Sequence, residues 1–338
     1  MTEPTPNPGP AAGRRRSPLD LVVVIVLIAV LAGITMMAGR ARRSSAKTAP
    51  AAATPAEEPQ RLVLPEQVGY VELAPIVLPE RIRAVAVGPD DHLFVSAGFS
   101  VLELDPVGKE VRRFDVQTAA SCLAAAGGRL YMGCSDHVEV ITLENGSKSV
   151  WPTAGAGAFL VSLAVSPAVI VAGDSGLRRF HRWNLDGTPL AEVATPPGAG
   201  TTANATVPST YYDIAAAADG TFWGTEAGHF GLVHTDAQGQ NLGRFGKGSP
   251  AIEDFGGCCN PTQVATAPGG LLVTVEKKPD LVKAYRTDGS LACVVAGPKA
   301  FQAKTFVPDV AADSRGRVML VDPKAKAVRI FEPKATTP

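Results

Sequence analysis

The sequence lacks most of the signals that mark catalytic or nucleic-acid-binding proteins. Its 338 residues include five cysteines, too few for a disulfide-stabilised scaffold. It has no Gly-rich phosphate loop, no recognisable Ser/His/Asp arrangement and no HExxH or CxxC motif. Neither charge dominates, since 32 basic residues face 32 acidic ones, and residues 61–338 hold 25 and 28 respectively. We therefore expect no nucleic-acid partner, because such a partner requires a basic surface.

Long apolar runs are also missing, with one exception near the N-terminus. Residues 21–39 contain no charged side chain and are long enough for a helix to cross a bilayer. The alternative is a cleaved signal peptide, but the run is longer than a typical signal core and arginines follow it at once. We predict a disordered tail over 1–18, a transmembrane helix over 19–39, an Ala/Pro linker over 40–61 and a folded domain over 62–334.

The flanking charges do not settle the orientation of this span. Three arginines precede it, and three arginines and a lysine follow it. A short tail before a single span, with a large domain after it, is typical of a domain held outside the cytoplasm. We expect a single-pass protein of the bacterial inner membrane, with its domain on the periplasmic side and the membrane as one partner.

Turn residues are plentiful, with 34 glycines and 28 prolines spread along the chain. Segment 255–297 shows the pattern best. Its apolar runs at 263–266, 271–276, 281–286 and 291–296 are separated by Gly, Pro and Asp. Short apolar runs between such residues predict strands joined by tight turns. The segment is therefore predicted to form a four-stranded antiparallel meander.

The same pattern recurs along the chain. Each copy has an apolar anchor in an Ala-rich first strand, then a turn and a second strand. The anchors lie 38, 40, 51, 50 and 46 residues apart. They are Val85, Leu123, Leu163, Ile214, Val264 and Val310.

A period of about 40–50 residues with four strands predicts an all-β, six-bladed β-propeller. The last copy lacks a fourth strand, and a lone strand at 67–75 precedes the first copy. We expect that strand to close the last blade. A β-sandwich is the alternative fold, and a seventh blade would need a further unit at 196–210, which has the composition of a loop.

Three units carry a resemblance to a known family. Segments 219–246, 269–297 and 315–333 resemble NHL-type repeats, with a Gly-x-hydrophobic strand, a variable turn and, in the first two, a strand followed by an Asp-x-x-Gly or Asp-Gly turn. The resemblance covers roughly residues 81–333 and implies a six-bladed propeller. It does not imply a particular activity.

The cysteines offer several possibilities. Cys258 and Cys259 lie in a Gly-Gly-Cys-Cys-Asn-Pro loop before the fifth inner strand, and they could form a vicinal disulfide, hold a thiolate-bound metal, or pack as free thiols. Cys122 and Cys134 flank the turn of the second hairpin, so a disulfide between them is possible.

Polar residues at one position of the repeat are the other candidate site. The residue before the anchor is Asp213, Gln263 and Asp309 in blades four, five and six, and Asn260 lies just upstream of Gln263. Their placement resembles the metal-binding Asn and Asp residues of calcium-dependent lactonase propellers, which implies Ca²⁺ as a possible cofactor. Arg81 and Arg83 stand where that family has an acidic residue. The simpler alternative is that these side chains bond to channel waters and loop amides.

No catalytic set is evident, so the leading hypothesis is a membrane-tethered binding or scaffold module. Its channel mouth would bind a protein partner or a small ligand through Asp213, Asn260, Gln263 or Asp309. The alternatives are a metal-dependent hydrolase of the lactonase type and a redox-associated module using Cys258 and Cys259.

Overall fold

The computed structural model describes residues 61–191, 211–257, 259–278, 280–301 and 307–335. No helix in these ranges is long and apolar enough to cross a membrane. The predicted span at 19–39 lies outside them. Glu58–Pro338 forms one compact unit.

The described residues form strands and short 3₁₀ turns. Each 3₁₀ turn begins with a proline, and they are Pro65–Gln67, Pro89–Asp91, Pro268–Gly270 and Pro298–Ala300. The strands are β1 (Tyr70–Glu72), β2 (Ile76–Val77), β3 (Ile82–Val87), β4 (Leu93–Ala97), β5 (Ser100–Leu104), β6 (Glu110–Asp115), β7 (Cys122–Ala126), β8 (Arg129–Cys134), β9 (His137–Thr142), β10 (Lys148–Val150), β11 (Leu160–Val165), β12 (Ile170–Asp174), β13 (Arg179–Trp183), β14 (Ile214–Ala216), β15 (Phe222–Glu226), β16 (Gly231–Thr235), β17 (Asn241–Phe245), β18 (Gln263–Ala267), β19 (Leu271–Glu276), β20 (Leu281–Tyr285), β21 (Leu291–Ala296), β22 (Val310–Ala312), β23 (Val318–Asp322) and β24 (Ala327–Pro333).

These strands form six separate antiparallel sheets, the blades of a propeller. Consecutive strands are neighbours, so blades 1 to 5 are β3–β6, β7–β10, β11–β13, β14–β17 and β18–β21. Blade 6 combines β22–β24 with β1 and β2 from the other end of the chain. In its register, Val71 faces Glu332 and Ile76 faces Val328. The first and last described strands thus lie in one sheet, and the ring is closed by strand pairing.

The hydrophobic core is divided among six layers, one between each pair of adjacent blades. Leu93 and Met319, for example, belong to the layer between blades 1 and 6, and Trp151 and Trp183 to the layer between blades 2 and 3. Alternation along a strand places successive side chains on opposite faces of its blade, so each blade contributes to two layers. No layer fills the axis, which leaves a channel between the inner strands β3, β7, β11, β14, β18 and β22.

Aspartates hold the turns at one end of the blades. In the turn between β5 and β6, Asp105 Oδ1 accepts the backbone N–H groups of Val107 and Lys109 at 3.1 and 2.9 Å. Gly108 there has φ of 91°, a conformation that side chains disfavour. The same aspartate-to-backbone contact recurs in the turns at Asp186, Asp219, Asp236, Asp288 and Asp313. This local chemistry accounts for the regular spacing of Asp and Gly along the sequence.

Candidate functional site

Two cavities that share lining residues lie on the propeller axis. The first, of about 250 Å³, runs between the inner strands and is lined by Cys122, Asp213 and Asp309 among small apolar residues. The second, of about 460 Å³, lies at the mouth where the inner strands begin. Ser121 and Val161 line both cavities. We refer to them as the channel and the mouth.

Asp213 connects three blades. Its Oδ1 accepts a hydrogen bond from Ser162 Oγ of blade 3 at 2.6 Å and one from its own neighbour's amide, Ile214 N–H, at 2.9 Å. Its Oδ2 accepts the Val264 N–H of blade 5 at 2.8 Å. Burial raises the pKa of Asp213 to about 6, against the lowering effect of these three bonds. The carboxylate therefore joins the inner strands of adjacent blades.

Asp309 plays the same part where the ring closes. Its Oδ2 accepts the Val85 N–H of blade 1 at 2.9 Å, and its Oδ1 accepts the Val310 N–H at 2.8 Å. Burial raises the pKa of Asp309 well above its ordinary value, and the negative charge of Asp213 adds a smaller increase. The side chain is half-buried and lines the channel, where the surrounding inner strands shield its carboxyl from much of the solvent. Both aspartates use the backbone amide of the neighbouring blade's anchor, Val264 or Val85.

We expect this pair to make the propeller more stable at pH 5 than at pH 7. The folded-state pKa of Asp213, about 6, lies above the unfolded value of about 3.9, so the folded state binds more protons between them. The resulting stability is fully present below the unfolded pKa and is lost as pH rises through the folded one. Each unit of pKa difference corresponds to about 1.4 kcal/mol. Urea unfolding of the wild type and of an Asp213→Asn/Asp309→Asn variant, from pH 5 to 7, measures this change in stability.

The double variant is the control, because it keeps the side-chain volumes and removes both titrating groups. Its stability is expected to change less over this range than that of the wild type. Equal slopes for the two proteins would show that the aspartates do not titrate there.

The structure separates the other two candidate residues. Asn260 is fully buried, donates through Nδ2 to the carbonyls of Gly256 and Lys277, and accepts the Lys277 N–H through Oδ1. It holds the Cys-Cys loop and does not line the channel. Gln263 lines the mouth, while Asp213 and Asp309 line the channel below it. Asn260 is thus not brought together with the two aspartates.

The possible disulfide between Cys122 and Cys134 is not formed: both residues are free thiols. In the register of β7 and β8, Cys122 faces Gly133, so Cys134 points to the opposite side of the blade. Cys122 packs in the layer with blade 3 and Cys134 in the layer with blade 1. Burial raises the pKa of the Cys122 thiol to about 12.

Cys258 lies outside the described residues, so the structure bears on neither a Cys258–Cys259 disulfide nor a metal at that pair. Among the residues that are described, no group of three or more His, Cys, Asp or Glu side chains could hold a metal ion.

The mouth has two arginines that the sequence analysis did not include in the candidate site. Arg81 and Arg83 lie on its wall, both exposed, and the described part of the wall has no Asp or Glu. Tyr211 also lines it, and Lys277 Nζ lies 3.4 Å from the centroid of its ring. The sequence signal was available: two arginines stand where the aligned lactonase pattern has an acid.

A second set of residues emerges only from the tertiary structure. Glu276 is buried between Lys283 Nζ, at 2.6 Å from Oε1, and Arg61 Nη1, at 3.3 Å from Oε2. Its Oε2 also accepts the Gly256 N–H at 2.8 Å. Lys283 and Arg61 both donate to the carbonyl of Asp254. This network, which we call the Glu276 cluster, fixes the loop before blade 5 to the start of the described chain.

Comparison with known proteins establishes the architecture. No protein-family model matches the chain, and no curated protein matches it. Solved structures do. The chain has the six-bladed β-propeller fold.

Among the similar structures is a streptogramin B lyase, with a TM-score of 0.56 and 12% identity over 78% of this chain and 98% of that chain. A virginiamycin B lyase from Staphylococcus aureus matches with a TM-score of 0.52 and 14% identity, covering 79% of this chain and 89% of that one. The WD40 propeller domain of Doa1 matches with a TM-score of 0.52 and 14% identity, over 75% and 79% of the two chains. At these identities the likeness shows the fold alone.

Proposed function

We propose that this protein is a membrane-tethered binding module whose site is the mouth of the propeller channel. The mouth cavity carries the proposal. At about 460 Å³ it falls within the size range of ligand pockets, roughly 300–1,000 Å³. Its wall mixes apolar residues with polar groups, among them Arg81, Arg83, Tyr211 and Gln263.

The scaffold around the mouth suits a binding role. The inner strands that support it are joined by the Ser162, Asp213 and Asp309 hydrogen bonds between blades. A site held by such bonds needs little ordering when a ligand arrives, which favours affinity. Propellers commonly serve as interaction modules, so a protein segment inserted into the mouth and a small ligand are both compatible occupants.

The proposed membrane tether is inferred from the sequence. The apolar run at 21–39 has the length of a membrane span, and the linker at 40–61 would separate the propeller from the bilayer. The proposed location is the periplasmic side of the bacterial inner membrane. Recovery of the full chain in the soluble fraction, without detergent, would contradict the tether.

Filling the mouth tests the binding role. Ala119 is exposed and lines the cavity, so Ala119→Trp places an indole in the mouth without disturbing a core layer. Ala325→Trp is the matched control, since Ala325 is an exposed residue of the turn between β23 and β24, outside the residues that line the mouth. Full-length protein in detergent would be screened by thermal shift against small molecules and peptides.

We expect compounds that stabilise the wild type and Ala325→Trp to lose their effect on Ala119→Trp. A screen in which every compound that binds acts equally on all three proteins would place the site elsewhere. A screen without any binder would count against a ligand site at the mouth.

A further inference from the structure

The charges on the mouth wall indicate which class of ligand it accepts, given that the mouth is the binding site. Arg81 and Arg83 flank the buried Ile82, and both are exposed and line the mouth. Each guanidinium offers a planar fork of N–H donors that matches a carboxylate or phosphate. The pair therefore presents two anion-binding groups to the same cavity.

Neither arginine is neutralised by the protein in the part of the chain that is described. Arg83 contacts the Phe159 ring, with its guanidinium carbon 5.8 Å from the ring centroid, and forms no ion pair with any described residue. Glu80, the acid next to Arg81 in sequence, pairs instead with Arg113 at 2.8 Å. Other exposed or half-buried arginines do have carboxylate partners, such as Arg112 with Glu103 and Arg329 with Glu72.

The surroundings add positive charge and an aromatic surface. Lys277 lies over Tyr211, which lines the mouth. The two aspartates lie lower, in the channel, and they form no ion pair with either arginine. Burial raises the pKa of both carboxyls, which reduces the negative charge that an anion at the mouth would meet.

We propose that the mouth binds a small organic anion, a carboxylate or phosphate compound, through Arg81 and Arg83. The volume of about 460 Å³ suits a metabolite-sized molecule. Tyr211 and Gln263 would contact the uncharged part of the ligand. This inference rests on the proposed binding role of the mouth and adds the charge of its occupant.

Isothermal titration of the full-length protein in detergent tests the proposal. The probes are succinate, citrate and inorganic phosphate, with succinamide as the uncharged analogue of succinate. We expect at least one anion to bind, succinamide not to bind, and the affinity to fall as salt is added. Arg81→Gln and Arg83→Gln should each weaken binding by about tenfold or more, the loss of one charge-assisted contact.

Lys109→Gln is the matched control, because it removes one exposed positive charge from the turn between β5 and β6, at the opposite end of the blades. It should leave the affinity unchanged. Equal weakening by Lys109→Gln would indicate a general effect of net charge and overturn the proposal. So would equal binding of succinate and succinamide, or no binding of any of the three anions.

The mouth-filling variant separates this inference from the proposed function. If Ala119→Trp abolishes ligand binding while the two arginine variants do not change it, the mouth is a binding site but its ligand is not selected by charge. If Ala119→Trp has no effect on any ligand, both proposals fail.

Discussion

Replacing Glu276 with glutamine is expected to destabilise the propeller by about 3–5 kcal/mol, since it leaves two buried cations without their anion. The side chains of Glu276 and Lys283 are 2% and 0% exposed, and Arg61 is nearly as buried. Burial lowers the pKa of Lys283 to about 8, with the Glu276 charge opposing the shift. Urea unfolding of the Glu58–Pro338 unit would measure the loss.

The loss of stability in Glu276→Gln, relative to the wild type, should become smaller as pH rises. A folded-state pKa near 8, below the ordinary 10.5, means that the unfolded state binds more protons between these values, so stability from Lys283 grows with pH there. In the Glu276→Gln variant the pKa of Lys283 is expected to fall further, because the Glu276 charge no longer raises it. Lys283 then becomes neutral at a lower pH than in the wild type, and the variant is no longer destabilised by that buried charge. A Glu276→Gln deficit that is constant from pH 6 to 9 would argue against this account.

Two further variants isolate the buried charge. Glu66→Gln, at an exposed glutamate of the same chain, should change stability by less than about 0.5 kcal/mol. The double variant Glu276→Gln/Lys283→Met removes a buried anion and a buried cation together. It should be more stable than Glu276→Gln alone, because one uncompensated charge has been removed.

Truncating Tyr70 to alanine is expected to destabilise the propeller by about 3–5 kcal/mol, the usual cost of removing a buried aromatic ring. Tyr70 belongs to β1, yet the residue is only 6% exposed and packs in the layer between blades 5 and 6. The strand is three residues long and is the outer strand of the closing sheet. Loss of the tyrosine side chain would therefore weaken the pairing that closes the propeller. Chemical denaturation of the Glu58–Pro338 unit measures the change.

The adjacent residue is the control. Val71 is 48% exposed on the other face of the same strand, so Val71→Ala should cost less than about 1 kcal/mol. A Tyr70→Ala variant as stable as Val71→Ala would mean that β1 contributes little to closure.

The sequence predicted the repeat and much of the strand pattern. In the fifth blade the predicted runs at 271–276 and 291–296 coincide with β19 and β21, and those at 263–266 and 281–286 differ from β18 and β20 by one residue. Local chemistry explains this accuracy, because alternation, Asp-Gly turns and small inner-strand residues each act within a few positions. The six-bladed fold followed from the period.

The sequence predicted only part of the candidate site. Aligning the repeats placed Asp213 and Asp309 at one level, and the structure has both lining the channel. The same alignment showed Arg81 and Arg83 as departures from an acidic pattern, without indicating that they face a cavity. The disulfide considered possible between Cys122 and Cys134 is not formed, because sequence spacing does not reveal which residues face each other across a hairpin.

The sequence by itself determined the blades, since each strand and turn depends on residues close to it in the chain. Tertiary structure alone decided which distant side chains meet. Asp309 bonds to Val85 across 224 positions, and Arg61 to Glu276 across 215. Such contacts depend on closure of the ring, which brings the first described residues beside blades 5 and 6. Buried charges and amides then require partners that no local pattern can supply.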